Sequence, residues 1–193
     1  MMDEKKDFKS GFVALIGRPN VGKSTLLNYL VGQKVAIMSP QPQTTRNKIS
    51  GIYTDDQEQI VFIDTPGIHK PKNKLDDFMD KSSYSALDEV DVVLFMVDAS
   101  RNEIPKGDKI ILEKIKEAHK PTILIINKID LVKKEELLNL IELYRKEYNF
   151  EAIIPISALQ EKYKETILDE IEKNLKEGPA YYDIEEYTDQ TLR

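Results

Sequence analysis

The stretch Gly17-Arg18-Pro19-Asn20-Val21-Gly22-Lys23-Ser24-Thr25 sets two glycines five positions apart and follows the second with Lys-Ser. That spacing suits close approach of backbone to a polyanion. Without Cβ atoms at Gly17 and Gly22, successive N–H groups can point into one concavity at the positive end of the next helix. Lys23 then reaches β- and γ-phosphates as a point charge, and Ser24 places its hydroxyl on Mg²⁺. The run Phe12-Val13-Ala14-Leu15-Ile16 precedes the motif and Leu26-Leu27-Asn28-Tyr29-Leu30 follows it. This gives strand, loop and helix, the context a phosphate loop needs; the alternative is a glycine turn opening an ordinary helix.

Four further motifs follow in a fixed order. Thr44-Thr45 offers hydroxyls. Asp64-Thr65-Pro66-Gly67 comes directly after Ile60-Val61-Phe62-Ile63, so that Asp64 can hold Mg²⁺ through water while Gly67 presents an open N–H to a γ-phosphate. Taken alone this tetrapeptide is a β-turn. Asn127-Lys128-Ile129-Asp130 follows Ile123-Leu124-Ile125-Ile126. A carboxylate at Asp130 accepts from the ring N–H and exocyclic amine of guanine, donors that adenine does not present together, so an ATPase reading fails here. Ser157-Ala158 comes after Ile153-Ile154-Pro155-Ile156 and offers a backbone N–H to the guanine O6. Each motif is weak alone; their order along one chain reads as a guanine-nucleotide site.

The elements that must position these residues are legible in outline. At 193 residues the chain is one domain of ordinary size, able to bury a core without metals or disulfides. The absence of cysteine excludes thiol redox chemistry and thiolate metal sites. Apolar runs fall far short of a membrane span, and the charged start Met1-Met2-Asp3-Glu4-Lys5-Lys6-Asp7 is no secretory signal, so a cytoplasmic protein is expected. A formal net charge of −6 argues against a dominant nucleic-acid footprint. The lysines of His69-Lys70-Pro71-Lys72-Asn73-Lys74 read first as a solvated switch loop and second as a phosphate-backbone contact.

Strand-like runs near 12–16, 48–53, 59–63, 92–97, 122–126 and 152–156 alternate with helical patterns, which predicts an α/β fold with helices on both faces of a mostly parallel six-stranded sheet. The runs on either side of Thr54-Asp55-Asp56-Gln57-Glu58 lie too close for a crossover helix and should form an antiparallel hairpin. Leu137, Ile141, Tyr144 and Tyr148, and Tyr163, Ile167, Ile171 and Leu175, recur at helical spacing and read as core stripes rather than ligand-stacking groups. Gly178-Pro179 breaks the last helix, so residues 1–176 read as the domain and 177–193 as an acidic linker or tail.

With these motifs in view, the chain resembles translation-factor-class GTPases, and in detail the bacterial Era family of ribosome-assembly GTPases. Pro40-Gln41-Pro42-Gln43-Thr44-Thr45-Arg46 with Gly51-Ile52 is similar to that family's first switch. Asp64-Thr65-Pro66-Gly67-Ile68-His69-Lys70-Pro71 is similar to its second, and Gly178-Pro179-Ala180-Tyr181-Tyr182 with Thr188-Asp189 to its exit from the GTPase domain. The resemblance implies the P-loop GTPase fold, GTP and GDP as ligands with Mg²⁺, and the small ribosomal subunit or its 16S rRNA as partner. It also implies a KH domain that binds the 3′ end of that RNA. The chain stops at Arg193 before such a domain, so RNA binding by this chain alone is not expected. Peripheral membrane association is a family tendency with no support in these residues. The stretch Gln160-Glu161-Lys162-Tyr163-Lys164 departs from relatives in lacking their Gly and Asn.

The implied chemistry is in-line attack of water on the γ-phosphate, with Lys23, Mg²⁺ and oriented backbone neutralising charge. By resemblance, Thr45 rather than Thr44 joins Ser24 and Asp64 around the metal. Ile68 stands where Ras-type enzymes carry the water-orienting glutamine. Relatives with an apolar residue there use a bound K⁺ held partly by a phosphate-loop asparagine, a position that Asn20 matches. Arg18 is either a cationic contact or a solvated loop residue. Two other readings remain: a nucleotide-binding module with negligible turnover without its trigger, and a tRNA-modification GTPase domain, against which the Gly-Pro-Ala-Tyr-Tyr exit argues.

Overall fold

The computed structural model describes residues 7–32, 48–64, 86–157, 160 and 162–182. Along the chain these form β1 (Lys9–Ile16), α1 (Lys23–Val31), β2 (Lys48–Thr54), β3 (Glu58–Asp64), β4 (Val92–Asp98), α2 (Lys106–Ala118), β5 (Thr122–Asn127), α3 (Lys134–Glu147), β6 (Ala152–Pro155), α4 (Lys162–Lys173) and β7 (Lys176–Glu177). All six expected strands are present, within a few residues of where the apolar runs put them.

The strands lie in the order β2-β3-β1-β4-β5-β6. β1 pairs parallel with β3 and with β4, β4 with β5, and β5 with β6, whereas β2 pairs antiparallel with β3 as the short hairpin requires. Asp55 makes that hairpin: its Oδ1 accepts from the N–H groups of Gln57 at 2.7 Å and Glu58 at 2.9 Å, an Asx-type turn. The sheet also has a strand that the apolar pattern does not foreshadow. β7, only Lys-Glu, pairs antiparallel with the start of β1 and brings the sheet to seven strands.

Because both faces of the parallel strands are covered, they read as continuous apolar runs whose alternate residues serve opposite cores. Val13, Leu15, Leu94, Met96, Ile123 and Ile125 pack with Leu26 and Leu30 of α1 and Ile167 and Ile171 of α4. Ala14, Ile16, Phe95, Val97, Leu124 and Ile126 pack on the other side with Ile111, Leu112 and Ile115 of α2 and Leu140 and Tyr144 of α3. The two tyrosine-bearing stripes are therefore core, with Tyr144 1% exposed and Tyr148 and Tyr163 half-buried against the clusters. Truncating any of the fully buried leucines or isoleucines to alanine would cost about 2–5 kcal/mol. Among the described residues no helix is long and apolar enough to cross a membrane.

The parallel register has one consequence for function. β1, β3, β4, β5 and β6 all end on the same edge of the sheet, where open α/β sheets bind ligands.

Candidate nucleotide-binding site

At that edge lies a cleft of about 770 Å³ lined by Pro19, Asn20, Gly22, Lys23, Ser24, Thr25, Asn127, Lys128, Asp130 and Ser157. The glycine loop thus shares one cavity with two motifs that lie more than a hundred positions further along the chain. The loop after β1 turns through two left-handed residues, Asn20 with φ 66° and Gly22 with φ 107°. Gly22 caps α1 without any side-chain hydrogen bond, and the helix has no acidic residue in its first turn. Its early N–H groups and positive dipole are thus uncompensated by an acidic side chain, as an anion site needs.

The glycines are demanded more sharply than close approach to a phosphate would explain. A Cβ on Gly17 would stand 2.5 Å from the carbonyl oxygen of Met96 in β4, and one on Gly22 would stand 2.5 Å from Nδ2 of Asn127. The loop is seated so tightly against the ends of β4 and β5 that packing alone excludes side chains there. Lys23 folds back over the loop, its Nζ donating to the Gly17 carbonyl at 2.7 Å. Val21 is buried beneath the loop, while Ser24 and Thr25 are exposed at its mouth.

Asn127 ends β5 and is buried, and its Nδ2 donates to the Val21 carbonyl at 2.9 Å. Its neighbour Lys128 is left-handed at φ 67°, a turn that carries the chain out of the sheet and into a short 3₁₀ segment at Ile129–Leu131. Lys128 Nζ donates to the Asn20 carbonyl at 3.0 Å and to Asp98 Oδ2 at 3.1 Å. Both residues of the Asn-Lys pair therefore hold the phosphate loop. Asp130 is exposed, and its Oδ1 accepts from Ser157 Oγ at 3.2 Å. The Ile129 N–H to Ile156 carbonyl bond at 3.2 Å fixes that approach. The result is a carboxylate on one wall facing the solvent side of the cleft, with the helix N-terminus and Lys23 on the other.

Asp64 ends β3 opposite Leu15 of β1, on the same edge. Its side chain, together with Thr44, Thr45, Gly67, Ile68, Ala158 and the lysines of 69–74, lies outside the described residues.

Two residues at the site escaped the motif reading. Asp98 ends β4 as Asp64 ends β3. Burial pushes its carboxyl up, but hydrogen bonds from Ser100 and Lys128 outweigh this and hold it below the ordinary carboxylate range. Asp108, in the first turn of α2, is 1% exposed and receives Arg18 Nε at 3.0 Å and the Tyr144 hydroxyl at 3.1 Å. Arg18 is thus neither a phosphate contact nor a solvated loop arginine here; it is tied to a helix. The signals were present. Asp98 follows an unbroken apolar run, and Asp108 stands at helical spacing from Ile111, Leu112 and Ile115, on their buried face.

Comparison with known proteins agrees with this geometry. The model of a family described as 50S ribosome-binding GTPase matches residues 12–128. A curated relative, GTPase Era of Lactobacillus helveticus (strain DPC 4571), is 58% identical over 97% of this chain and 62% of its own length. Among solved structures, an Aquifex aeolicus Era variant bound to GDP·AlF4⁻ superposes with a TM-score of 0.73 at 40% identity, covering 92% of this chain and 60% of that one. A structure of Era in complex with MgGDPNP and nucleotides 1506–1542 of 16S ribosomal RNA superposes at 0.76 with 41% identity, covering 91% and 60%. The chain spans about three fifths of the length of each of these relatives.

Proposed function

Since the chain belongs to the 50S ribosome-binding GTPase family, we propose that it binds GTP and GDP in the cleft at the carboxyl edge of its sheet and hydrolyses GTP. The observation that carries this reading is the single cavity shared by the glycine loop, Lys23 and Ser24 with Asn127, Asp130 and Ser157. Phosphates go to the loop and the start of α1, and the base to Asp130. In the bound state Lys23 exchanges the Gly17 carbonyl for phosphate oxygens, while Asn127 and Lys128 keep the loop seated.

Among the described residues no cluster of three His, Cys, Asp or Glu side chains could hold a metal. At the start of α1 the described residues offer the Ser24 hydroxyl, which with the nucleotide's own phosphates begins a hard oxygen set of the kind that suits Mg²⁺. Ser24 would hold it with Thr45 and Asp64, and its charge would offset the charge of the phosphates. The Asn20 amide lines the same cleft and offers an uncharged oxygen, the donor type that suits K⁺. We assign Asn20 that role, with Gly67 and Thr45 as the groups that sense the γ-phosphate. Unassisted turnover of about 10⁻⁴–10⁻² s⁻¹ is expected for this class.

The biological role that fits is a switch in assembly of the small ribosomal subunit. It rests on the 58% identity to GTPase Era and on the Era complex with 16S ribosomal RNA. The family description names the large subunit, whereas the 58% identity to GTPase Era and the Era complex with 16S ribosomal RNA favour the small one.

The test is GTP turnover with Mg²⁺ in KCl and in NaCl at equal ionic strength, for this chain and for Asn20→Ala. Stimulation by K⁺ that disappears in the variant supports both the activity and the role of Asn20. Tight GTP binding without turnover in either salt would make the chain a binding module and end the K⁺ assignment.

A further inference from the structure

Arg18 belongs to the phosphate loop but not to the lining of the cleft. Its stem lies against the first turn of α2 at Gly107, where a Cβ would stand 2.5 Å from Arg18 Cδ. Its Nε reaches Asp108, whose second oxygen takes the Tyr144 hydroxyl. Asp108 and Tyr144 are each 1% exposed. A carboxylate at that depth survives only when paired and hydrogen-bonded, and both oxygens of Asp108 are so engaged. The network joins three elements: the phosphate loop, α2 and α3.

Two residues further on, the carbonyl of Asn20 is held by Lys128, which also pairs with Asp98. Residues 18–20 are thus tied to both ends of the β4–α2 connection, to Asp98 where it starts and to Asp108 where it finishes. Pro19 between them has its φ fixed by its ring. None of these ties uses the nucleotide.

We propose that Asp108 is a positioning residue for the phosphate loop: through Arg18 it sets the loop's shape before nucleotide arrives, with Tyr144 fixing the orientation of the carboxylate. The geometry stands by itself, and the consequence for ligand retention rests on the nucleotide reading above. A loop that is already shaped loses less freedom on binding, and loss of such shaping appears mainly as faster release.

The experiment compares wild type with Asp108→Asn, the milder Tyr144→Phe, and Leu112→Ala as a core control one turn along α2. Two quantities are read: amide hydrogen exchange of residues 17–25 without nucleotide, and release of a fluorescent GDP analogue. Asp108→Asn should speed both about tenfold and Tyr144→Phe about threefold in the same direction. Leu112→Ala should lower the thermal midpoint at least as far while leaving both rates within about twofold. Rates for both network variants within twofold of wild type would overturn the proposal, as would an equal acceleration in Leu112→Ala. Should wild type fail to retain the GDP analogue, the nucleotide reading falls, and the exchange rates still decide the tether.

Discussion

Glu58, the first residue of β3, is only 5% exposed, and its Oε2 has no hydrogen-bond partner among the described residues. Burial, then the charges of Asp55, Glu172 and Asp169, push its carboxyl up to about 7, against an opposing pull from Lys9. The native state therefore holds a proton that the unfolded chain releases near pH 4.5. Between these two values the folded form binds more protons, so stability falls as pH rises, and above about 7 the full cost of a buried charge is present. Glu58→Gln removes that cost. Its thermal midpoint should match wild type below pH 4.5, rise above it through the interval, and level off beyond pH 7 with a gain of about 1–3 kcal/mol. A midpoint difference independent of pH would contradict the assignment.

At the scale of elements, the segment after α4 is fixed to the sheet rather than trailing from it. Gln59 of β3, fully buried, accepts at Oε1 from the N–H groups of Tyr181 at 2.7 Å and Tyr182 at 3.0 Å. Its Nε2 donates to the Tyr182 carbonyl at 2.8 Å and to Thr54 Oγ1 at 3.1 Å. Ser10 Oγ donates to the Pro179 carbonyl at 2.7 Å, the Gly178 N–H reaches the Phe8 carbonyl at 3.0 Å, and the Tyr181 ring packs on Phe12 at 4.8 Å. Gln59→Ala should speed hydrogen exchange of residues 178–182 at least about tenfold, while GDP affinity stays within about twofold. Unchanged exchange would show that the other contacts suffice. This clasp also marks where sequence reading stops. The buried parallel strands were legible because each is a continuous apolar run, and the hairpin because its connection is short. Lys176-Glu177 and the Gly-Pro-Ala-Tyr-Tyr stretch carry no periodicity, and their partners Ser10 and Gln59 are single polar residues in strands more than a hundred positions away. Likewise the cleft-lining residues fell within recognisable motifs. The Arg18–Asp108 pair joins residues 90 positions apart, and only the folded chain reveals it.

For the molecule as a whole, two poles are joined by the same two strands. β1 runs from the clasp at Ser10 to the phosphate loop, and β3 runs from Gln59 to Asp64. The candidate cleft and residues 178–182 therefore sit at opposite ends of one strand pair. The central claim is that the other pole is a guanine-nucleotide site. Calorimetric titration of the nucleotide-free chain with GDP and with ADP, in Mg²⁺, tests it most directly, with Asp130→Ala alongside. The account predicts GDP binding at least about 10²-fold tighter than ADP, and loss of that preference in the variant, because the carboxylate alone answers the two guanine donors. Equal affinity of wild type for GDP and ADP, or an Asp130→Ala variant that still prefers GDP, would contradict it.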